Sequence, residues 1–327
     1  MIKPMTARFC SGNSWLVIKT ASARIMLKKI FIVILQYNNS HDTIKCLNSV
    51  KELNYPNFEV IIIDNASEIK HIEAVRFFLK NQTTVNCKLK TANSNLGYSG
   101  GNNVGIKYAL EHGADYVLIL NNDTTVEKDL LTKLANTSES DPEIGIVGPA
   151  IDEGNKSVCG GKVEWLKPEL QHLKREENMP DSRFQIPDSM IYVPGAAMLI
   201  KREVIEKICL LDERYFLYFE DVDYCLRAQR AGYKLSISPE ILLGHTPSST
   251  TSTLGAPLLL RYHYRNAHLF NWKNGQLWVK LVLPFWSIFI IIKQLTKISI
   301  GKNPEISKAI LAGVVDFYKN RFGKINA

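Results

Sequence analysis

Two acidic clusters, far apart in the chain, carry the residue types best suited to chemistry. Asn121-Asn122-Asp123 directly follows the apolar run Tyr116 to Leu120, and Glu220-Asp221-Val222-Asp223 opens a segment running to Arg230. A carboxylate at the exposed end of a buried strand can hold a divalent cation against phosphates, because Mg2+ is usually bound by one or two carboxylates plus substrate oxygens. A second carboxylate cluster across a cleft can supply a general base. Together they point to phosphate-linked group transfer rather than binding alone.

Other polar groups gather around this pair. Asp64-Asn65 ends the apolar run Phe58 to Ile63, and the carboxyl ends of parallel strands line the ligand crevice of an open α/β sheet. Asn95-Leu-Gly97-Tyr-Ser-Gly-Gly101-Asn-Asn103 reads as a glycine- and amide-rich loop opening a helix, a place for a polar or anionic ligand. It matches neither a Walker A loop nor the dinucleotide glycine fingerprint. His245, after Leu243-Gly244, is a candidate further metal ligand, and Arg227 lies one helical turn after Asp223. The aromatic run Tyr215 to Phe219 ahead of Glu220 could wall a sugar-sized pocket. Plainer readings stand beside these. Asn-Asn-Asp is rich in turn formers, and acids at a helix start are favoured by the dipole.

The elements that must position these residues alternate between apolar runs and helix-period stretches, the pattern of an α/β domain. Strands are expected at 30–35, 58–63, 85–89, 116–120, 144–151, 158–165 and 190–200, the last broken at Pro194-Gly195, and short ones at 233–237 and 241–243. Helices are expected at 42–53, from a Ser67 cap to about 80, from the glycine loop to Gly113, at 126–135 and at 220–231. The polar stretch 167–187 reads as a loop. Beyond Pro257 the texture becomes basic and apolar. The uncharged core Leu281 to Ile292 is twelve residues long and contains Pro284. That is short of the roughly 20 needed to span a bilayer, so an interfacial or re-entrant segment is expected, or else a core or dimer-forming helix.

With 327 residues and 46% hydrophobic content, the chain can bury a large core. Its charge is unevenly spread. Residues 1–29 hold six Lys/Arg and no acid, residues 261–327 hold eleven against Glu305 and Asp316, and the middle carries 23 basic against 30 acidic residues. An acidic body with basic ends is drawn to an anionic surface. The apolar C-terminal part favours a membrane over nucleic acid. The six cysteines show no C-x-x-C and no zinc spacing, which fits a reduced, cytosolic compartment. Residues 1–25 lack a secretory apolar region. Either Met26 is the working start or this stretch is a disordered extension.

Segments in order carry a family resemblance: Ile34 to Asn38, Tyr55 to Ser67, Asn95 to Asn103, Leu118 to Asp123, Gly195 to Ile200 and Phe216 to Arg227. With these the chain resembles the family 2 glycosyltransferases, especially the rhamnosyltransferase-like branch that builds bacterial surface polysaccharides, from about Lys29 to Asn271. The resemblance implies an α/β GT-A fold with a mostly parallel central sheet. Its catalytic domain would span 29–256, after an extension at 1–28 and before a helical C-terminal region at 257–327. It implies that Tyr37 and Asp64 contact the base and ribose of a UDP- or dTDP-sugar, and that Asn95, Gly97 and Asn122 lie beside the nucleotide. Asp123 would meet Mg2+ or Mn2+ and the diphosphate, with His245 as a later ligand. Asp221 would be the general base, with Glu220 and Asp223 shaping the site. Gly195, Ala196 and Phe219 would contact a saccharide or lipid-linked saccharide acceptor. Asn121 stands where many relatives have Asp, one carboxylate fewer for a metal. The implied enzyme is an inverting, metal-dependent hexosyltransferase with L-rhamnose the favoured sugar, cytoplasmic and peripheral to the membrane, with a homo-oligomer left open. Two other readings remain. A sugar nucleotidyltransferase is disfavoured because Gln36-Tyr-Asn-Asn39 replaces its triphosphate loop. A non-catalytic saccharide-binding or scaffold subunit is the alternative.

Overall fold

A computed structural model describes residues 27–81, 86–152, 154, 157–167, 170–174, 184–185, 191–245 and 255–325. Residues 1–26, most of the expected N-terminal extension and Met26, lie outside the described residues.

The first strand explains the rest. β1 (Ile30–Gln36) is apolar at nearly every position, and its residues are buried on both faces, as expected of a central parallel strand. Phe31 and Val33 join one core cluster, while Ile30, Ile32 and Ile34 join another. Then come α1 (Ser40–Val50), β2 (Phe58–Asp64), α2 (Ile69–Lys80), β3 (Cys87–Thr91), α3 (Gly97–Glu111) and β4 (Tyr116–Asn121). β4, β1, β2 and β3 lie side by side, all parallel. The chain continues through β5 (Thr124–Thr125), α4 (Leu130–Glu139), β6 (Ile144–Asp152), β7 (Ser157–Lys162), β8 (Gln171–Lys174), β9 (Phe184–Gln185) and β10 (Ile191–Tyr192). β11 (Ala197–Lys201), α5 (Arg202–Ile208), α6 (Glu220–Arg230) and β12 (Lys234–His245) follow, and α7 (Ala256–Asn274), α8 (Leu277–Ser299) and α9 (Pro304–Tyr318) end the chain. β11 runs antiparallel between β4 and β6, and β12 runs parallel to β6.

Several expectations are corrected. The glycine cluster is no loop, since Gly97 to Gly101 form the first turns of α3. A Cβ on Gly101 or Gly105 would come within 2.3 Å of Leu35 or Val33, so these glycines seat α3 tightly on β1. Ser67 does not cap α2. Its hydroxyl accepts from the Asn38 N–H at 2.8 Å instead. The expected strand at 190–200 is two strands in different places, β10 beside β7 and β11 beside β4, because Pro194 and Gly195 turn the chain between them. The expected loop at 167–187 includes β8, paired with β7. The two short strands after Tyr233 are one, β12, with an irregularity between Ser238 and Leu242. Pro284 does not end its helix, and α8 is continuous over 23 residues. Proline removes one backbone hydrogen bond, but Val279, Leu283, Ser287 and Ile290 bury the inner face across it.

The three C-terminal helices are bolted together by polar contacts as well as apolar ones. His268 of α7 is buried, its Nε2 3.1 Å from the Ser287 hydroxyl of α8, which lies 2.8 Å from the Tyr318 hydroxyl of α9. Burial pulls the His268 imidazole down to about 4, so it is neutral at physiological pH. Arg261 pairs with Asp316 at 2.7 Å.

Candidate active site

Strand register gathers one edge of the sheet. Gln36 lies opposite Asp64, Asp64 opposite Thr91, and Leu35 opposite Asn121. Every one of these strands therefore ends at the same height. The fully buried Asp64 accepts from Gln36 Nε2 at 3.0 Å and from the Ser67 N–H at 3.1 Å. Tyr37, half-buried, follows Gln36 at this edge. Asn65 fixes the adjoining turn. Its amide nitrogen donates to Asn95 Oδ1 at 3.0 Å and to the Gly97 carbonyl at 3.1 Å, while its oxygen accepts from the Leu96 N–H at 2.8 Å.

Asn122 and Asp123 form the turn after β4. Asn122 donates to the Asn39 carbonyl at 3.3 Å and to the Thr43 hydroxyl at 2.9 Å, which locks the turn to α1. Asp123 is largely buried. Next to it the Cys46 thiol is pushed up to about 12, first by burial, with the Asp123 charge contributing. His245 pairs through its backbone with Thr124, the residue after Asp123. Its side chain lies outside the described residues.

The second acidic cluster begins on an irregular turn. Phe216, Tyr218 and Phe219 have φ of 63°, 70° and 75°, all left-handed. From there α6 starts at Glu220. Asp221 accepts from the Gly195 N–H at 2.9 Å through Oδ2 and from the Val222 N–H at 2.8 Å through Oδ1. The Gly195 carbonyl accepts from the Tyr98 hydroxyl at 2.6 Å. Ala196 sits at the same edge, its carbonyl accepting from the Asn121 N–H at 2.9 Å. Glu220 Oε2 is buried and has no hydrogen-bond partner among the described residues.

The electrostatics follow from burial. Burial, and then the Asp221 charge, push the Glu220 carboxyl well above the ordinary range. Burial also raises Asp221, against the N–H groups of Gly195 and Val222 and the nearby His172. The Tyr98 phenol is pushed well up by burial and then by the charges of Glu220, Asp221 and Asp123. Both acidic clusters therefore act on one phenol. A carboxylate held by two N–H groups, with raised proton affinity, has the chemistry of a general base.

Not every expected residue faces this space. Asp223 is fully buried and bound by Arg227 at 2.8 Å, Lys273 at 2.9 Å, Asn274 at 2.8 Å and the Tyr215 hydroxyl at 3.2 Å. Its carboxylate ties α6 to α7. The Phe219 ring is also buried, 5.7 Å from Phe270 and 6.3 Å from His263. Of the aromatic run, Leu217 and Tyr218 keep exposed surface. Gln36, Asn65 and Tyr98 all stand inside the motifs, yet the sequence assigns none of them a contact. Their signal was an amide or phenol next to a strand-end acid or a glycine.

Among the described residues, no three His, Cys, Asp or Glu side chains form a ready metal cage. Asp123 stands at the strand end, and the His245 backbone pairs with Thr124 next to it; one carboxylate there would need substrate phosphates to complete the shell of a hard divalent cation.

The chain is similar to known proteins in sequence and in fold. The family description "Glycosyl transferase family 2" matches residues 31–209, which include Asp64 and Asp123 and stop before Glu220. A dTDP-rhamnosyl transferase, RfbF of Shigella flexneri, is 24% identical over 262 residues, 76% of this chain and 82% of that protein. The low-salt glycan biosynthesis hexosyltransferase Agl10 of Haloferax volcanii is 25% identical over 219 residues, 63% of each chain. Among solved structures, the mannosyltransferase PcManGT of Pyrobaculum calidifontis, in complex with GDP-Man and Mn2+, superposes with a TM-score of 0.56. It is 14% identical, with 90% of this chain and 88% of that one covered. Residues 1–349 of S. aureus TarS, in complex with UDP-GlcNAc, give a TM-score of 0.55 at 15% identity, covering 91% and 94%. At such identities the structural likeness speaks to the GT-A fold.

Proposed function

The chain belongs to glycosyl transferase family 2 and is a glycosyltransferase; from that premise we propose that it inverts the sugar it transfers, using a UDP- or dTDP-sugar and Asp221 as general base. The acceptor is a saccharide or lipid-linked saccharide, and the product belongs to cell-surface polysaccharide. The dTDP-rhamnosyl transferase of Shigella flexneri favours L-rhamnose as the sugar. The observation that carries this reading is the half-buried Asp221 carboxylate, held by the Gly195 N–H at the strand-end edge that also carries Asp64 and Asp123.

In this mechanism Tyr37 and Asp64 hold the base and ribose, and Asn65 keeps Asn95 and Gly97 against the nucleotide. Asp123 and His245 would hold Mg2+ or Mn2+ beside Asn122 and the diphosphate, where it would offset the negative charge that develops on the leaving nucleoside diphosphate. Asp221 takes the proton of an acceptor hydroxyl as that oxygen attacks the anomeric carbon. The new C–O bond forms on the face opposite the departing diphosphate, so the configuration inverts. Gly195 and Val222 fix the two Asp221 oxygens, and Gly195 with Ala196 lines the acceptor side. Glu220, buried beside Asp221 with a raised proton affinity, shapes the site.

The C-terminal region supports a location at the cytoplasmic membrane face. α8 is long and apolar enough to cross a membrane by length and composition. Its inner face nevertheless packs on α7 and α9, while Trp278, Leu281, Phe285, Phe289 and Ile292 stay exposed along the other face. Lys280, Lys293, Lys297 and Lys302 flank that stripe. Such a helix lies in the interface plane.

The test is transfer of label from dTDP-rhamnose, and from UDP-sugars in parallel, to a lipid-linked saccharide, with the product anomer read by NMR. Inverted product, and loss of about 10²–10⁴ in kcat in Asp221→Asn with nucleotide affinity kept, is the expected result. Undiminished turnover by Asp221→Asn would show that another group is the base.

A further inference from the structure

Asp221 is delivered by a turn that does not hold its own shape. Phe216, Tyr218 and Phe219 all adopt left-handed φ within four residues, a conformation strained in any residue with a Cβ because the side chain crowds the backbone. A turn of this kind persists only where its surroundings over-determine it.

The surroundings come from α7. The Asn266 amide nitrogen lies 2.8 Å from the Tyr215 carbonyl, 2.7 Å from that of Leu217 and 3.0 Å from that of Tyr218. One amide thus gathers three carbonyls of the turn. Arg265 orients it, donating from Nε to Asn266 Oδ1 at 3.0 Å and from Nη2 to the Tyr215 carbonyl at 3.0 Å. Arg265 Nη1 reaches on to the Gly323 carbonyl at 2.7 Å. Both side chains are fully buried.

The other side of the turn closes on the site itself. The Phe216 carbonyl accepts from the Tyr98 N–H at 2.6 Å, the Tyr98 hydroxyl donates to the Gly195 carbonyl, and the Gly195 N–H holds Asp221. Behind Asp221, Asp223 is anchored by Lys273 and Asn274, also of α7. α7 therefore grips the chain on both sides of Asp221.

We propose that Asn266 is a positioning residue for transfer, its amide, aimed by Arg265, shaping the turn that points Asp221 at the acceptor hydroxyl. The proposal rests on the reading of Asp221 as the base. It makes the C-terminal helices a working part of the active site, although the family match ends at residue 209.

The test is Asn266→Asp, which keeps the shape and puts a carboxylate against the same three carbonyls, with Asn266→Ser as a smaller second variant. For each, kcat, both KM values and dTDP or UDP affinity by calorimetry are measured on the full chain. The expected result is nucleotide affinity within about twofold of wild type and kcat down about 10²-fold, the scale of a small misplacement of a reacting group. A merely structural role would lower the melting temperature but leave kcat per nucleotide-binding site unchanged, and that overturns the proposal. So does a parallel loss of nucleotide affinity and kcat, which would mean general disruption. If Asn266→Asp does not fold, Asn266→Ser is read by the same criteria. Asp221→Asn runs alongside. If it turns over normally the base is misassigned, whereas an inactive Asp221→Asn beside fully active Asn266 variants defeats this proposal alone.

Discussion

Glu220 is buried beside the half-buried Asp221, and the charge of one raises the other, so they titrate as a pair with apparent values that belong to both. The base must be ionised to act. Because burial raises Asp221, kcat should fall, as pH is lowered, at a higher pH than an ordinary carboxylate would give. His172 is a positive influence on Asp221; replacing it removes stabilisation of the carboxylate and raises the pKa further. His172→Gln is therefore expected to move the acid limb of the kcat profile to higher pH. An unmoved limb, or one displaced downward, would show that His172 does not act on the base. At this scale the sequence was informative about acids and poor about their partners. The cluster Glu220 to Asp223 and the strand-end Asp64 and Asp123 stand out by type and spacing. Nothing in the order of residues reveals that Asp223 is consumed by Lys273 and Asn274, about fifty positions later, or that the Tyr98 hydroxyl reaches Gly195.

At the scale of elements, the most instructive case is α3. Its glycines looked like a ligand loop because glycine clusters usually mark turns. Yet Gly97, Gly101 and Gly105 recur every four residues, the spacing of one helical face, and on that face Gly101 and Gly105 meet β1. Gly105→Ala would drive a methyl to within 2.3 Å of Val33. Overpacking of this kind costs about 1–3 kcal/mol, so the urea midpoint should drop accordingly while nucleotide still binds. Unchanged stability would mean that the helix can shift off the strand freely. Only Gly97 among the three needs glycine for its backbone, with φ of +73° where a Cβ would meet the Phe216 carbonyl at 2.4 Å. The parallel strands were legible because isoleucine and valine fill them on both faces. The short strands near β8 and β9 were not, since few apolar residues mark them.

Across the whole molecule, an acidic body carries a basic, apolar cap. The cap's charge and texture were visible in the sequence, but its length was misjudged. Counting only uncharged residues gives a short segment, Leu281 to Ile292, broken by Pro284, whereas packing of the inner face carries α8 through Pro284 for 23 residues. The protein should float with vesicles containing anionic lipid, less at high salt because exposed charges are screened. Phe285→Ser with Phe289→Ser should abolish flotation while leaving soluble transfer intact; undiminished flotation would assign that face to a second copy of the chain. The central claim, however, is the nucleotide-sugar site. The measurement that tests it most directly is a thermal-shift series with UDP, dTDP, GDP and their sugars, with and without Mn2+, on wild type and Asp123→Asn. A ligand at 100 times its dissociation constant adds about 2.7 kcal/mol, so a UDP or dTDP shift that grows with Mn2+ and is lost in Asp123→Asn is expected. No shift with any nucleotide, in protein that unfolds cooperatively, would contradict it.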